Sequence, residues 1–135
     1  MPTREVLLAV ADAARAHELE LVVLFGSRAA GRARADSDAD LAVRSRSGLL
    51  SARAFLDVAG ALRCVFPEAE VDLVDLRRAD PLLLRHIFTG GVPLFEETGV
   101  FSAMRLHAFH RYHDYRPLLR LERRAVRRAL GLDAG

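Results

Sequence analysis

Two aspartates one residue apart, a short distance after a Gly-Ser pair, are the residues of this chain best suited to carry chemistry. Residues 26–43 read G-S-R-A-A-G-R-A-R-A-D-S-D-A-D-L-A-V, so ten residues separate Gly26 and Ser27 from Asp38 and Asp40. In an extended strand the period of two puts both carboxylates on one face, with Cα atoms roughly 6.6 Å apart. Carboxylate oxygens are the ligands that hard divalent cations prefer, so the pair indicates a metal site.

The Gly-Ser pair itself is suited to hold a phosphate. The short apolar run of residues 21–25, L-V-V-L-F, ends at Gly26 and predicts a buried strand. Glycine lets the backbone approach a bound group, and a helix starting at Ser27 would aim its free N–H groups and dipole at that group. The Ser27 hydroxyl adds a donor. Arg28 is a candidate phosphate contact through its forked guanidinium, although a plain surface arginine fits the same place equally well.

A third carboxylate is expected from the next apolar run that carries an acid. Residues 69–76 predict a strand, which would bring Asp72 beside the first pair of acids. Asp75 lies three residues further on and is expected on the opposite face, as a strand-end or surface acid. Three carboxylates facing a phosphate suit two Mg²⁺ ions about 3.5–4 Å apart, which indicates phosphoryl or nucleotidyl transfer. Asp72 is also the candidate base for the incoming hydroxyl.

Two similar motifs are excluded by the residues that follow them. A P-loop would need Lys and then Ser or Thr where this chain has Arg32 and Ala33. An EF-hand would need Gly and a bidentate Glu where this chain has Leu41 and Ser47. A merely solvated acidic loop is the remaining alternative, and the flanking strands and the third acid argue against it.

Gly26-Ser27, followed after ten residues by Asp38-x-Asp40, resembles the signature of the nucleotidyltransferases of the DNA polymerase β-like superfamily. Within it, the short chain is similar to the minimal nucleotidyltransferase (MNT) group, the MntA-type antitoxins of HEPN-domain toxins, over roughly residues 5–120. The resemblance implies an α/β (α+β) fold, a mixed sheet flanked by helices with a helical tail.

The same resemblance implies an activity and its site residues. ATP and Mg²⁺ would be used to transfer AMP to a tyrosine hydroxyl of a HEPN toxin, in a hetero-oligomer with that toxin. Gly26 and Ser27 would bind the nucleotide, with Arg28 as the further candidate that its side-chain chemistry suggests, and Asp38, Asp40 and Asp72 would hold the metals and catalyse. Two alternatives stay open: a small-molecule nucleotidyltransferase of the aminoglycoside-modifying kind, and an antitoxin that neutralises its partner by binding alone.

The remaining sequence predicts the elements that must position these residues. Residues 3–17 and 51–66 have helical apolar spacing, Ser51 is a cap, and Asp80-Pro81 opens a helix that Gly90-Gly91 closes. A second strand is expected at 40–44, a last one at 92–95, and a helical tail at 100–132.

Length and composition limit the number of domains and the class of protein that the chain can form. At 135 residues the chain predicts one domain, spanning 1–135 with a core of about 5–97. No apolar run is long enough for a membrane span, the N-terminus lacks the apolar stretch of a signal peptide, and the net charge is only +2, so we expect a cytoplasmic protein without general nucleic-acid affinity. The single Cys64 falls in an apolar helical stretch and is expected to be buried.

The tail offers two interpretations, a docking surface for a partner or a terminal helix with a solvated basic face. His107, His110 and His113 recur every third residue, a spacing that drifts around a helix and does not favour zinc. Arg105-x₄-His110-x-Tyr112 resembles a motif of the HEPN partner family, which raises RNA cleavage or self-modification at Tyr112. A HEPN fold needs several helices, and only about one or two remain in this chain after the nucleotidyltransferase elements, which argues against RNA cleavage.

Overall fold

The structure, a computed structural model, describes residues 2–31 and 38–131. Arg32 and Ala33, which exclude the P-loop motif, lie outside the described residues, as does the predicted end of the tail at Leu132. The domain boundaries expected from the sequence stay a prediction.

The described chain contains four helices, four strands and a 3₁₀ turn, and their bounds agree with the predicted ones to within a few residues. In order they are α1 (Arg4–Ala16), β1 (Leu19–Phe25), β2 (Ala39–Ser45), α2 (Ala52–Val65), β3 (Val71–Asp75), a 3₁₀ turn (Leu76–Arg78), α3 (Pro81–Gly90), β4 (Val92–Glu96) and α4 (Val100–Ala129). The predicted helical tail is confirmed as one helix of 30 residues.

The four strands of the described residues form one mixed sheet in the order β3-β2-β1-β4. Strand β1 pairs antiparallel with β2 and with β4, whereas β2 and β3 run parallel. The parallel pair follows from the connection, because α2 crosses over the sheet between the two strands. The predicted α/β fold with a mixed sheet is therefore confirmed.

Helices cover both faces of the sheet, so β1 is buried on both sides. One core joins α1 and α2 to the face of β1 that carries Val22 and Leu24. The other joins α3 and α4 to the face that carries Val23 and Phe25. A strand covered on both faces reads as a continuous apolar run, which is why the sequence pattern identified it.

Side-chain caps fix the starts of three helices. The side chains of Thr3, Ser51 and Asp80 accept the backbone N–H three residues further on, at 3.2, 3.1 and 2.8 Å. The caps predicted at Ser51 and Asp80 are confirmed. At the end of α3, a Cβ on Gly91 would lie 2.2 Å from the carbonyl oxygen of Ile87 and 2.7 Å from Val23 Cγ1.

Two expectations about burial are wrong. Asp75 is not a surface acid: it is 3% exposed, and its carboxylate accepts the backbone N–H groups of Leu50 and Arg77, each at 3.0 Å. Cys64 is exposed, because it lies two residues, or about 200° around α2, beyond the buried Leu62.

Helix α4 leaves the body of the protein as it proceeds. Phe101, Met104 and Ala108 pack into the core shared with α3, whereas residues 121–131 are exposed throughout. None of the helices in the described ranges combines the length and the apolarity that a membrane crossing would require.

Candidate active site

Three residues stand in line across neighbouring strands at one end of the sheet. Phe25, at the end of β1, is the register partner of Asp40 on β2, and Asp40 is in turn the partner of Asp72 on β3. Paired residues of adjacent strands point to the same face, here the face covered by α3 and α4. Asp38 precedes Asp40 by two residues. The pairing of β2 with β3 therefore brings the three predicted acids to the same end of the sheet.

Gly26 is held against Asp40. Its φ is +75°, in the left-handed region that favours glycine, and a Cβ at this position would lie 2.3 Å from Asp40 Oδ2. No side chain can occupy that space while the carboxylate keeps its place. The glycine therefore lets the chain turn after β1 and leaves the space that the Asp40 carboxylate occupies.

The helix expected to start at Ser27 is replaced, within the described residues 27–31, by a hydrogen-bonded turn. The Ala30 N–H donates to the Gly26 carbonyl and the Gly31 N–H donates to the Arg28 carbonyl, each at 3.2 Å. Gly31 has a φ of +71°, which ends the turn. Ser27 is exposed and Arg28 is half-buried beside this turn.

The electrostatic environment of Asp40 includes the charges of the other two acids. The pKa of Asp40 is raised above its ordinary value, first by burial and then by the negative charges of Asp72 and Asp38. A carboxylate placed among other carboxylates resists ionisation because like charges repel. A bound cation would reduce the repulsion between these carboxylates, so the arrangement suits a metal-bound nucleotide.

His86 is a site residue that the sequence analysis missed. This exposed residue of α3 meets the Phe25 ring edge to face, with ring centroids 6.0 Å apart. It is also the group that lowers the pKa of Asp40, opposing the effect of burial and of the other acids. No motif marks it, because α3 reaches the site only through the fold.

The acids fit Mg²⁺ without forming a closed protein cage. Within residues 2–31 and 38–131, no three His, Cys, Asp or Glu side chains are grouped closely enough to hold a metal by themselves. Mg²⁺ is commonly bound by one or two carboxylates together with substrate phosphates and water, so it does not need such a group. Asp38, Asp40 and Asp72 are the residues that would hold it, and their role stays a prediction.

The HEPN-like motif of the tail does not assemble a site on α4. Arg105 and His110 are five residues apart on a continuous helix, so they point about 140° away from each other. Tyr112 lies on the same side as Arg105, and its ring is covered by the Arg85 guanidinium at 4.2 Å. The arginine and the histidine cannot act together from this helix.

Comparison with known proteins agrees with this geometry. Residues 10–98 match the family described as Polymerase beta, Nucleotidyltransferase. No curated protein matches the chain.

Solved structures of toxin–antitoxin complexes contain similar chains. One, a toxin–antitoxin with AMP-PNP, is 26% identical with a TM-score of 0.71, covering 92% of this chain and 97% of that one. An MntA-HpeT mutant with two aspartates, one residue apart, changed to glutamate is 25% identical, TM-score 0.71, with the same coverage of 92% and 97%. The complex of a tri-AMPylated HEPN toxin with an MNT antitoxin from Shewanella oneidensis is 25% identical, TM-score 0.69, covering 94% and 97%.

The family match covers more than half of the chain and includes every acid of the site. The similar structures extend the likeness over nearly the whole length and agree with the resemblance to MNT antitoxins. The chain therefore belongs to the polymerase beta nucleotidyltransferase family, and it is a nucleotidyltransferase.

Proposed function

We propose that this protein transfers AMP from ATP to a tyrosine hydroxyl of a HEPN-domain toxin, with Mg²⁺ as cofactor, and so acts as the antitoxin. The observation that carries the proposal is the line of Asp40 and Asp72 across β2 and β3, with Gly26 packed against Asp40. This arrangement places the carboxylates next to the hydrogen-bonded turn that begins at Gly26.

The roles of the residues follow from their positions. Gly26 and Ser27 lie where the triphosphate would meet the end of β1, and Arg28 is a candidate contact to the same group. Asp38, Asp40 and Asp72 would hold Mg²⁺, which when bound supplies positive charge to the phosphates. His86 stands on the α3 side of the site, beside Phe25.

Asp72 is the proposed base. It is exposed, whereas Asp40 is half-buried between its neighbours, so an incoming hydroxyl can reach Asp72 directly. The hydroxyl oxygen would form a bond to the α-phosphorus of ATP as the bond to pyrophosphate breaks. The hydroxyl proton would pass to the Asp72 carboxylate, which leaves a phosphodiester on the acceptor.

The partner and the acceptor are supported by the similar structures. One of these complexes contains a HEPN toxin that carries three AMP groups, bound to its MNT antitoxin. Another contains AMP-PNP. The mutant complex has aspartates with the spacing of Asp38 and Asp40 replaced by glutamate. We infer a hetero-oligomer with a toxin of this kind, and the cytoplasmic location stays a prediction.

The test is incubation of the purified protein with α-labelled ATP and Mg²⁺ in an extract that contains the cellular partner, followed by a denaturing gel. We expect label on one small protein, lost with EDTA and with Asp38→Asn. Asp57→Asn, an exposed acid on α2, is the matched control and should label normally.

Two outcomes would overturn the proposal. Label on small molecules alone would indicate the drug-modifying class of nucleotidyltransferase. Absence of label from every fraction, with a folded protein that still neutralises the toxin, would indicate an antitoxin that acts by binding.

A further inference from the structure

A second cavity lies on the same face of the sheet as Asp40, towards the other end of β2. Its volume is about 510 Å³, and its lining includes Arg44, Arg77, His107 and Arg111 around an apolar floor with Leu84 and Met104. Asp40 and Arg44 are four residues apart on one strand, so their Cα atoms are separated by roughly 13 Å. The cavity is therefore distinct from the candidate active site.

One wall of this cavity holds more positive than negative charge. Arg44 forms an ion pair with Glu20, and Arg77 Nη2 lies 3.9 Å from the same Glu20 oxygen while donating to the Ser45 carbonyl at 3.0 Å. The Glu20 side chain is only 12% exposed. One largely buried carboxylate thus faces two guanidinium groups and neutralises only one of them.

The electrostatics of Arg44 reflects this imbalance. Burial and the nearby charge of Arg77 lower the pKa of Arg44 below its ordinary value. Both effects penalise the charged form of the guanidinium, so an additional anion beside the two arginines would be favourable.

The opposite wall comes from α4 and adds an imidazole and a further guanidinium. His107 and Arg111 are one helical turn apart, so both side chains lie on the same side of the helix. Both are exposed, and neither forms an ion pair with another residue in the described part of the chain. Arg111 is thus available to bind a ligand without giving up an existing partner.

We propose that this cavity binds a nucleoside monophosphate, with the phosphate held by Arg77 and Arg111 and the base against Leu84 and Met104. Guanidinium groups suit phosphate because they donate in a fixed, bidentate geometry. The apolar floor suits a ring, and the volume lies within the range of small-molecule sites. The site needs neither the acids of the active site nor turnover, so it stands independently of the proposed function.

Met104 makes the test specific, because Met1 and Met104 are the only methionines of the chain. The protein, labelled with ¹³C at the methionine methyl groups, is titrated in EDTA with AMP, adenosine and inorganic phosphate. Met104→Leu assigns the two signals. We expect AMP to shift the Met104 signal saturably while the Met1 signal stays in place, with adenosine binding much more weakly.

Matched arginine variants separate a phosphate site from a general electrostatic effect. Arg111→Gln should weaken AMP binding at least about tenfold, because a charge-assisted hydrogen bond is lost. Arg123→Gln removes the same charge from an exposed position further along α4 and should leave the affinity unchanged.

Three results would overturn the proposal. One is a Met104 signal that does not move with AMP. The second is adenosine binding as tightly as AMP, which would remove the role of the phosphate. The third is equal weakening by Arg111→Gln and Arg123→Gln, which would indicate non-specific attraction to a basic helix.

Discussion

Gly26 packs directly against the Asp40 side chain: a Cβ on the glycine would lie 2.3 Å from Oδ2 of the aspartate. The two residues stand on neighbouring strands or their ends, since Phe25 is the register partner of Asp40. The proposed phosphate turn and the proposed metal ligand are therefore one packed unit. A change in either residue should displace the other.

Gly26→Ala should abolish most of the transfer activity while the protein stays folded. The added methyl group must push the Asp40 carboxylate aside, and displacements of about 1 Å at a reacting centre cost roughly 100-fold in rate. Gly31→Ala is the control, because Gly31 has a similar φ of +71° but no atom of the described residues within 4 Å of its Cβ position. Both variants carry backbone strain of about 1–2 kcal/mol, which a thermal melt measures. Equal activity in the two variants would contradict the role of the Gly26–Asp40 contact.

Asp40→Asn should stabilise the metal-free protein at neutral pH although it inactivates the enzyme. The pKa of Asp40 is raised by burial, Asp72 and Asp38, so the native state binds the proton more tightly than the unfolded chain does. Stability is then lost as the pH rises from the ordinary value of 3.8 through the higher native value. At neutral pH the ionised group is a net penalty, which the neutral amide removes.

The measurement is the melting temperature in EDTA at several pH values. The advantage of Asp40→Asn over the wild type should be largest near neutral pH and should shrink towards pH 4. Mg²⁺ with a nucleotide should stabilise the wild type and not the variant. A variant that melts below the wild type at neutral pH would show that the carboxylate is a structural group.

His86→Ala should move the acidic limb of the pH–rate profile to higher pH. His86 lowers the pKa of Asp40, so its removal leaves the carboxyl protonated over a wider range of pH. The activity lost at acidic pH should then exceed the activity lost at neutral pH. His110→Ala, on the exposed part of α4, should leave the profile unchanged. A uniform loss of activity at every pH would indicate that His86 acts in some other way.

The elements of this fold were predictable where the sequence carries local signals. The continuous apolar run of β1, the caps at Ser51 and Asp80, and the two glycines at the end of α3 each act within a few residues. The candidate acids were predicted for the same reason, since Asp38 directly precedes the strand that carries Asp40. Asp72 followed because its strand carries an acid at a suitable position.

The wrong or missing predictions concern contacts between distant parts of the chain. The partner of Asp75 is the backbone of Leu50, which lies 25 residues earlier and is brought there by the crossover through α2. His86 meets Phe25 only because α3 packs over the end of β1. For Cys64 the error was one of helix phase, since an apolar stretch does not specify which residue faces outward.

Two adjacent glycines should respond to alanine in opposite directions. Gly91→Ala places a methyl group 2.2 Å from the Ile87 carbonyl oxygen and 2.7 Å from Val23 Cγ1, and overpacking of this kind costs about 1–3 kcal/mol. Gly90→Ala, at the end of α3, meets nothing within 4 Å in the described part of the chain and should gain up to about 1 kcal/mol of helix stability. Urea unfolding of the two variants measures the difference. Equal free energies of unfolding would contradict the close packing of Gly91.

Two acids of β3 should have opposite roles, and alanine substitution separates them. Asp75→Ala leaves the N–H groups of Leu50 and Arg77 without their acceptor, so we expect a loss of about 1–3 kcal/mol in unfolding free energy and normal transfer per folded molecule. Asp72→Ala removes an exposed carboxylate that repels Asp40, so it should not lower stability, while transfer falls by about 100-fold or more. Chemical unfolding and initial rates at a temperature where both variants are folded give the two readouts. If Asp75→Ala lost activity and Asp72→Ala kept it, the third acid of the site would be Asp75, and β2 and β3 would have to present the site on the other face of the sheet.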